Sequence, residues 1–304
     1  MLTNAPPRIK NALLWGQQMT RSIDKLARRF MAGIAAVLLC AAASPQDKRL
    51  TIEELIAHHL DSIGSAQARA FPKNRVVSGP VKLIGRIGTA VSIDGQAGLA
   101  SSGVKLRYSM KFPSSQYTGE QFGFDGSKVL TGHLPGGLRS PLSLYLDQQN
   151  TPLRDGLLGG TLSTAWAMLR VEQLKPKLEY RGLKKVEGRQ LHEVGYRAQK
   201  GSADLTIALF FDAATFRHVR TVYEFKVPAR LGLGPDDSNR FQEDYYQLVE
   251  DFDDFRAVDA LMLPHKYRMQ LNVQTSRGSN VFDWNVTLEQ VSHNQALDDQ
   301  IFSK

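Results

Sequence analysis

Apolar and polar positions along the chain follow two periods. From Thr51 the period is helical: Thr51-Ile52-Glu53-Glu54 forms a capping box, and Leu55, Ile56, Leu60 and Ile63 recur at helical spacing until Gly64 ends the pattern. Beyond Val76 the period falls to two. Val104, Leu106, Tyr108, Met110 and Phe112 alternate with Lys105, Arg107, Ser109 and Lys111, which predicts a strand with one wet face. The same alternation recurs in Leu205 to Phe211, Val219 to Val227, Tyr267 to Val273 and Phe282 to Leu288, and weaker strands are predicted over 76–87, 116–124, 127–132, 178–185, 189–198 and 246–257. Turn pairs such as Asp125-Gly126 and Glu187-Gly188 separate them, so the pattern implies about eleven strands in an antiparallel sheet.

Residues 139–175 interrupt the alternation. Leu142, Leu144 and Leu146, a helix start at Thr151-Pro152, and Leu162, Ala165, Trp166 and Leu169 at i, i+3, i+4 and i+7 predict two or three short helices, broken by Gly156, Gly159 and Gly160 and ended by Pro176. A large sheet with one polar face has one greasy face to bury, and these helices and the N-terminal one are the only available cover. The expected fold is α+β, mainly β: a large curved antiparallel sheet under a lid of short helices.

The first forty-odd residues do not share these patterns. Arg21, Lys25, Arg28 and Arg29 precede an unbroken apolar run, Met31 to Ala43, followed by Ser44, Pro45 and polar residues. Thirteen residues fall short of the ~20 that a bilayer span requires. Ala41 and Ala43 give the small-x-small pattern of a signal-peptidase site, so 1–43 is expected to be a leader cut between Ala43 and Ser44, and 44–304 a single exported domain in the periplasm or outside the cell. A start at Met19 would make the leader more ordinary. The lone Cys40 lies inside the apolar run, which removes disulfides from the mature domain; Leu39 before it disfavours lipid anchoring at that cysteine. Without the leader the chain carries 32 basic and 29 acidic residues, a balance that is no nucleic-acid footprint.

The chemical motifs are thin. Gly136-Gly137 and Gly159-Gly160 lack the following Lys-Ser/Thr of a phosphate loop, no Gly-x-Ser-x-Gly elbow marks a nucleophile, and no His-Glu-x-x-His occurs. Adjacent helical residues point about 100° apart, so His58 and His59 do not share a metal easily; His59 is expected near the core stripe and His58 in solvent. The pair His192 and Glu193 is the other metal candidate, and Glu250 to Asp254 lacks the glycine and spacing of a calcium loop. No catalytic residue, cofactor or metal is expected.

Several segments resemble the outer-membrane lipoprotein-sorting superfamily (Lol-type, LolA/LolB-like). Phe255-Arg256-Ala257-Val258-Asp259-Ala260-Leu261-Met262-Leu263-Pro264-His265 is similar to its hairpin, with Ala260 where the family usually has Gly. Val286 to Val291, then Asn294, Asp298-Asp299 and Phe302, resemble its last strand and ending. Phe210 to Thr215 and Phe124 to Ser127 resemble two of its turns. The resemblance implies an incomplete β-barrel of about eleven strands, a helical lid and a hydrophobic cavity for acyl chains; no site residue is carried over from it.

The expected function is a periplasmic carrier or receptor, without catalysis, for lipid, lipoprotein acyl chains or another hydrophobic ligand held between sheet and lid. Leu106, Tyr108, Met110, Leu144, Leu146, Leu157, Leu162, Trp166, Leu169 and Trp284 are the candidate lining residues. A rival reading is an envelope signalling or protein-interaction module with a filled core, its partner bound by the sheet face or the loop Pro228 to Asn239. A third is a hydrolase whose Ser, His and Asp converge from scattered positions. An unfilled hollow beneath Trp166 separates the first reading from the second.

Overall fold

In the computed structural model, residues 50–303 are described except 88, 135, 136, 138, 228–242 and 277. The expected leader with Cys40, Ala43 and Ser44, and the loop Pro228 to Asn239, lie outside the described residues. Thr51–Lys304 is one compact unit. It opens with α1 (Ile52–Ile63), whose capping box forms as predicted: Glu54 N–H donates to Thr51 Oγ1 at 3.2 Å and Thr51 N–H to Glu54 Oε2 at 3.0 Å. A five-residue helix, α2 (Ala66–Ala70), follows, capped by Ser65.

The strands are β1 (Asn74–Ile87), β2 (Thr89–Ser102), β3 (Lys105–Lys111), β4 (Gly119–Phe124), β5 (Val129–Thr131), β6 (Lys177–Val186), β7 (Arg189–Arg197), β8 (Thr206–Asp212), β9 (His218–Val227), β10 (Asp244–Val258), β11 (Leu261–Thr275), β12 (Gly278–Thr287) and β13 (Gln290–His293). They form one antiparallel sheet in the order β5-β4-β3-β2-β1-β12-β11-β10-β9-β8-β7-β6, with β13 against the start of β1. Two meanders thus meet where β1 pairs β12, with Leu83 opposite Trp284. The sheet stays open, and its edges are β5 and β6.

The chain between those edges is the cap. It contains α3 (Pro141–Gln148), α4 (Thr151–Arg154), 3₁₀ turns at Gly160–Leu162 and Ala167–Arg170, and α5 (Val171–Leu174). Two differences from the sequence pattern have physical causes. The helix predicted from Leu162, Ala165, Trp166 and Leu169 does not form. Gly159 and Gly160 take left-handed backbone (φ +82° and +49°), and the Ser163 and Ser101 hydroxyls accept the Ala165 and Thr164 N–H groups that a helix would have used. Strand β2 shows little alternation in sequence because small residues such as Gly95, Ala97 and Gly98 occupy it; a side chain at Gly95 would stand 2.2 Å from the Lys111 carbonyl oxygen. With the short β13, it raises the count from about eleven to thirteen.

Inner-face side chains from nearly every strand converge on the cap. Leu106, Tyr108 and Met110 of β3, Phe122 of β4, Tyr223 of β9, Leu248 and Phe252 of β10, Met269 of β11 and Trp284 of β12 are all buried. The outer face carries ion pairs instead, such as Arg268 with Asp283 at 2.7 Å and Arg220 with Asp251 at 2.5 Å.

The β10–β11 hairpin closes through two left-handed residues, Asp259 (φ +47°) and Ala260 (φ +63°), where a two-residue turn of this kind prefers glycine. Ala260 is exposed. Ala260→Gly is therefore expected to stabilise the protein by roughly 0.5–1 kcal/mol, a rise of a few degrees in Tm by calorimetry. An unchanged or lower Tm would mean that the turn carries no such strain.

Candidate functional site between the sheet and its cap

Most of the cap's backbone is not in long helices, so its N–H and C=O groups need partners from elsewhere once the cap is pressed on an apolar sheet. The sheet supplies them. Glu250, fully buried on β10, accepts the Gly159 N–H at 2.7 Å, the Tyr267 hydroxyl at 2.6 Å and the Tyr223 hydroxyl at 2.7 Å. Gly159 is where cap and sheet come closest: a Cβ there would lie 1.7 Å from the Tyr108 hydroxyl. Glu120, fully buried on β4, accepts hydrogen bonds from Tyr117, Ser140 and Ser143, and Ser140 also caps α3 through the Ser143 N–H. Tyr117 in turn accepts the Trp284 indole N–H at 3.1 Å.

Three further fastenings complete the seam. The Trp166 indole donates to Nε2 of His59 at 2.9 Å, while His59 Nδ1 lies 3.0 Å from the Phe216 carbonyl oxygen, a pairing that fixes the neutral Nδ1–H tautomer. Arg75 donates from Nη1 to the Thr161 carbonyl at 2.5 Å and from Nε to His293 at 2.9 Å. Asp155 accepts from Tyr196 and from Arg154, each at 2.9 Å. His58 is exposed with its ring 4.7 Å from that of Phe216, its neighbour His59 is buried, and His192 pairs with Tyr180. Among the described residues no three His, Cys, Asp or Glu side chains cluster as a metal site.

The sequence-derived lining residues fall into three groups. Leu106, Tyr108, Met110, Leu146, Leu157, Leu162, Trp166 and Trp284 are brought together in the buried interior. Leu144 is 48% exposed on the outer side of α3, away from the sheet. Leu169, 38% exposed, lines a separate surface groove. The hollow expected beneath Trp166 is occupied: its ring stacks on His218 at 4.6 Å, and His218 packs on Phe252 at 4.8 Å. At the seam lie a narrow apolar cleft of about 20 Å³ beside Leu99, Tyr108, Met110, Leu162 and Met269 and a second of about 40 Å³ beside Trp166, Arg75 and Thr161. Such volumes house about one to three water molecules and no acyl chain.

Larger open volumes lie elsewhere: about 320 Å³ beside Met110, Phe112 and Gln121, and a wider one beside α1. A groove of about 720 Å³ runs between α1, the Ala167–Arg170 turn with α5, and the start of β6. Its walls include Ile52, Ile56, Leu60, Leu169, Val171 and Leu178. Helix α1 buries one apolar stripe, Leu55, His59 and Ile63, against the core; the second stripe, Ile52, Ile56 and Leu60, stays half-exposed in the groove. The spacing of Leu55, Ile56, Leu60 and Ile63 predicts one core face, whereas the helix carries two stripes. The excess of apolar width over what one packed face needs was the available signal.

No family model and no curated protein matches the sequence. Among solved structures, the chain is similar to a LolA superfamily protein from Nitrosomonas europaea, with 12% identity over 84% of this chain and 98% of that one and a TM-score of 0.44. It is also similar to an outer membrane lipoprotein-sorting protein domain from Vibrio parahaemolyticus, at 8% identity over 82% and 96% of the two chains and a TM-score of 0.42. A DUF1329 family protein from Desulfovibrio piger gives 10% identity, 83% and 96% coverage and a TM-score of 0.38.

Burial pushes the carboxyl of Glu250 up to about 7 and that of Glu120 likewise to about 7, although their hydrogen-bond donors pull the other way. A carboxyl whose folded pKa exceeds its unfolded value stabilises most at low pH, and that contribution is lost as pH rises from about 4.5 through 7. His59, lowered to about 4 by burial, and His218, also lowered by burial, work oppositely, costing stability as pH falls below about 6.5. Comparing Glu250→Gln with wild type cancels the histidines. The variant is expected to gain on wild type between pH 5 and pH 8 by up to roughly 3 kcal/mol in urea unfolding. A difference independent of pH would contradict the buried-carboxyl account.

Proposed function

We propose that this protein is a non-catalytic binding protein of the cell envelope that takes up a hydrophobic ligand, lipid or lipoprotein acyl chains, at the groove beside α1. The observation that carries the reading is the uncovered stripe Ile52, Ile56 and Leu60, facing Leu169 and Leu178 across an open volume of about 720 Å³. That volume lies within the range of about 300–1,000 Å³ in which proteins hold small molecules. Burying a chain there yields roughly 0.8 kcal/mol per methylene, so a dozen methylenes give useful affinity without any bond being made or broken. An envelope location is supported by the basic-then-apolar pattern up to Ala43 and the small residues before Ser44. Among the described residues no helix is long and apolar enough to cross a membrane.

The inner residues Leu106, Tyr108, Met110, Leu146, Leu157, Leu162, Trp166 and Trp284 meet a ligand only if the cap lifts, and lifting it breaks the Gly159–Glu250, Ser140–Glu120 and Trp166–His59 hydrogen bonds together. The packed interior supports a second reading as well, an envelope interaction module whose partner is a protein; there the same groove receives an apolar side-chain cluster rather than a lipid.

Ala57 is exposed on the groove wall, so Ala57→Trp fills the groove without touching the core. Binding of the uncharged fluorophore N-phenyl-1-naphthylamine is expected to weaken about tenfold or more in that variant, with an unchanged unfolding midpoint. Undiminished binding by a folded variant would place the ligand elsewhere.

A further inference from the structure

One wall of the groove is not apolar. Arg170, at the end of the Ala167–Arg170 turn, contributes its side chain to the groove lining. Its Nη1 is buried and has no hydrogen-bond partner, and its Nε makes only a long contact, 3.4 Å, with Gln173. The acid best placed to compensate it, Asp155, is already engaged: one oxygen accepts from Arg154 at 2.9 Å and the other from Tyr196 at 2.9 Å. No carboxylate of the described residues forms an ion pair with Arg170. Burial pulls its pKa below the usual arginine value, although Asp155 and Tyr196 act in the opposite direction.

A half-buried guanidinium with one buried N–H group unpartnered, at the side of an apolar trough, gains from a ligand that pairs with it. The complementary partner has a hydrocarbon body for Ile52, Ile56, Leu60 and Leu178 and one planar anion for the guanidinium fork. The rim narrows the class further. Glu53 and Glu172, both exposed, lie on the groove's edge and disfavour a head of high negative charge, while Lys177 is the only other cation in the lining. A single carboxylate fits this balance better than a phosphate dianion.

We infer that the groove is a site for long-chain fatty acids, with the acyl chain along the Ile52–Ile56–Leu60 stripe of α1 and the carboxylate on Arg170. The inference rests on the groove being the ligand site and adds to it the chemistry of the head. Arg170 is then a specificity residue: the chain's burial supplies the affinity that any apolar molecule shares, and the guanidinium selects acids among molecules of equal length. Charge-assisted hydrogen bonds to a carboxylate contribute enough for a preference of about tenfold or more.

The test is displacement of N-phenyl-1-naphthylamine from the mature protein at pH 8 by hexadecanoic acid, hexadecanol and hexadecyl phosphate, in wild type, Arg170→Met and Arg170→Lys. The expected result is that the acid outcompetes the alcohol about tenfold or more in wild type. Arg170→Met should abolish the preference by weakening the acid alone, and Arg170→Lys should retain part of it. The alcohol's own affinity, equal in all three proteins, shows that each variant is folded and its groove intact. Acid and alcohol competing equally in wild type, a preference surviving Arg170→Met, or the phosphate outcompeting the acid would each overturn the carboxylate assignment while leaving the groove as a hydrophobic site. Failure of the naphthylamine and of all three amphiphiles to bind wild type would overturn the groove reading as well.

Discussion

The structure depends on one constraint: an irregular backbone must be buried against the apolar face of a thirteen-stranded sheet. A long amphipathic helix would satisfy its own N–H and C=O groups. A cap of four- to eight-residue helices and 3₁₀ turns does not, and each unpaired group buried with it would cost on the order of 1–3 kcal/mol. The sheet therefore places polar side chains where its pattern otherwise calls for hydrocarbon. Glu250 reaches the Gly159 N–H, Glu120 reaches Ser140 at the start of α3, Arg75 reaches the Thr161 carbonyl, and His59 of α1 receives the Trp166 indole.

That solution explains why the interior is full. Each fastening fixes a cap segment at hydrogen-bonding distance from the sheet, and Trp166, Leu157 and Leu162 are drawn into the space a guest would have taken. It also explains where the spare apolar surface went. With Leu55, His59 and Ile63 committed to the seam, α1 cannot turn its second stripe inward, and Ile52, Ile56 and Leu60 are left facing the Ala167–Arg170 turn and the first residues of β6 across open space. The groove is thus a by-product of how the cap is fastened, and Arg170 stands in its wall while Asp155 is hydrogen-bonded to Arg154 and Tyr196.

Much of the fold was legible because alternation survives wherever one strand face is wet: β3, β8, β9, β11 and β12 each show it in their side chains. Strand β2 was not, since Gly95, Ala97 and Gly98 are small residues with no alternating bulk, and at Gly95 the small size answers a close backbone approach. The spacing of Leu162, Ala165, Trp166 and Leu169 mimics a helix face, yet the first three are buried by a glycine-initiated irregular path and Leu169 is left exposed; periodicity is blind to the path of the backbone. The site was less legible. Glu250 and Glu120 look like solvated acids in sequence, because nothing local distinguishes a carboxylate beneath a cap from its neighbour Asp251, one residue on and on the outer face. Arg170 carries no sequence signal at all: its importance comes from partners that are engaged elsewhere.

The central claim is that a closed, packed interior and an outside groove coexist, so that a guest lies beside α1 while the cap stays latched. A crystal structure with a bromine-labelled hexadecanoic acid tests this most directly through the anomalous signal of the bromine. The account predicts the halogen and chain between α1 and the start of β6, with the Gly159 N–H still on Glu250. A chain found beneath Trp166, with that hydrogen bond broken, would contradict it.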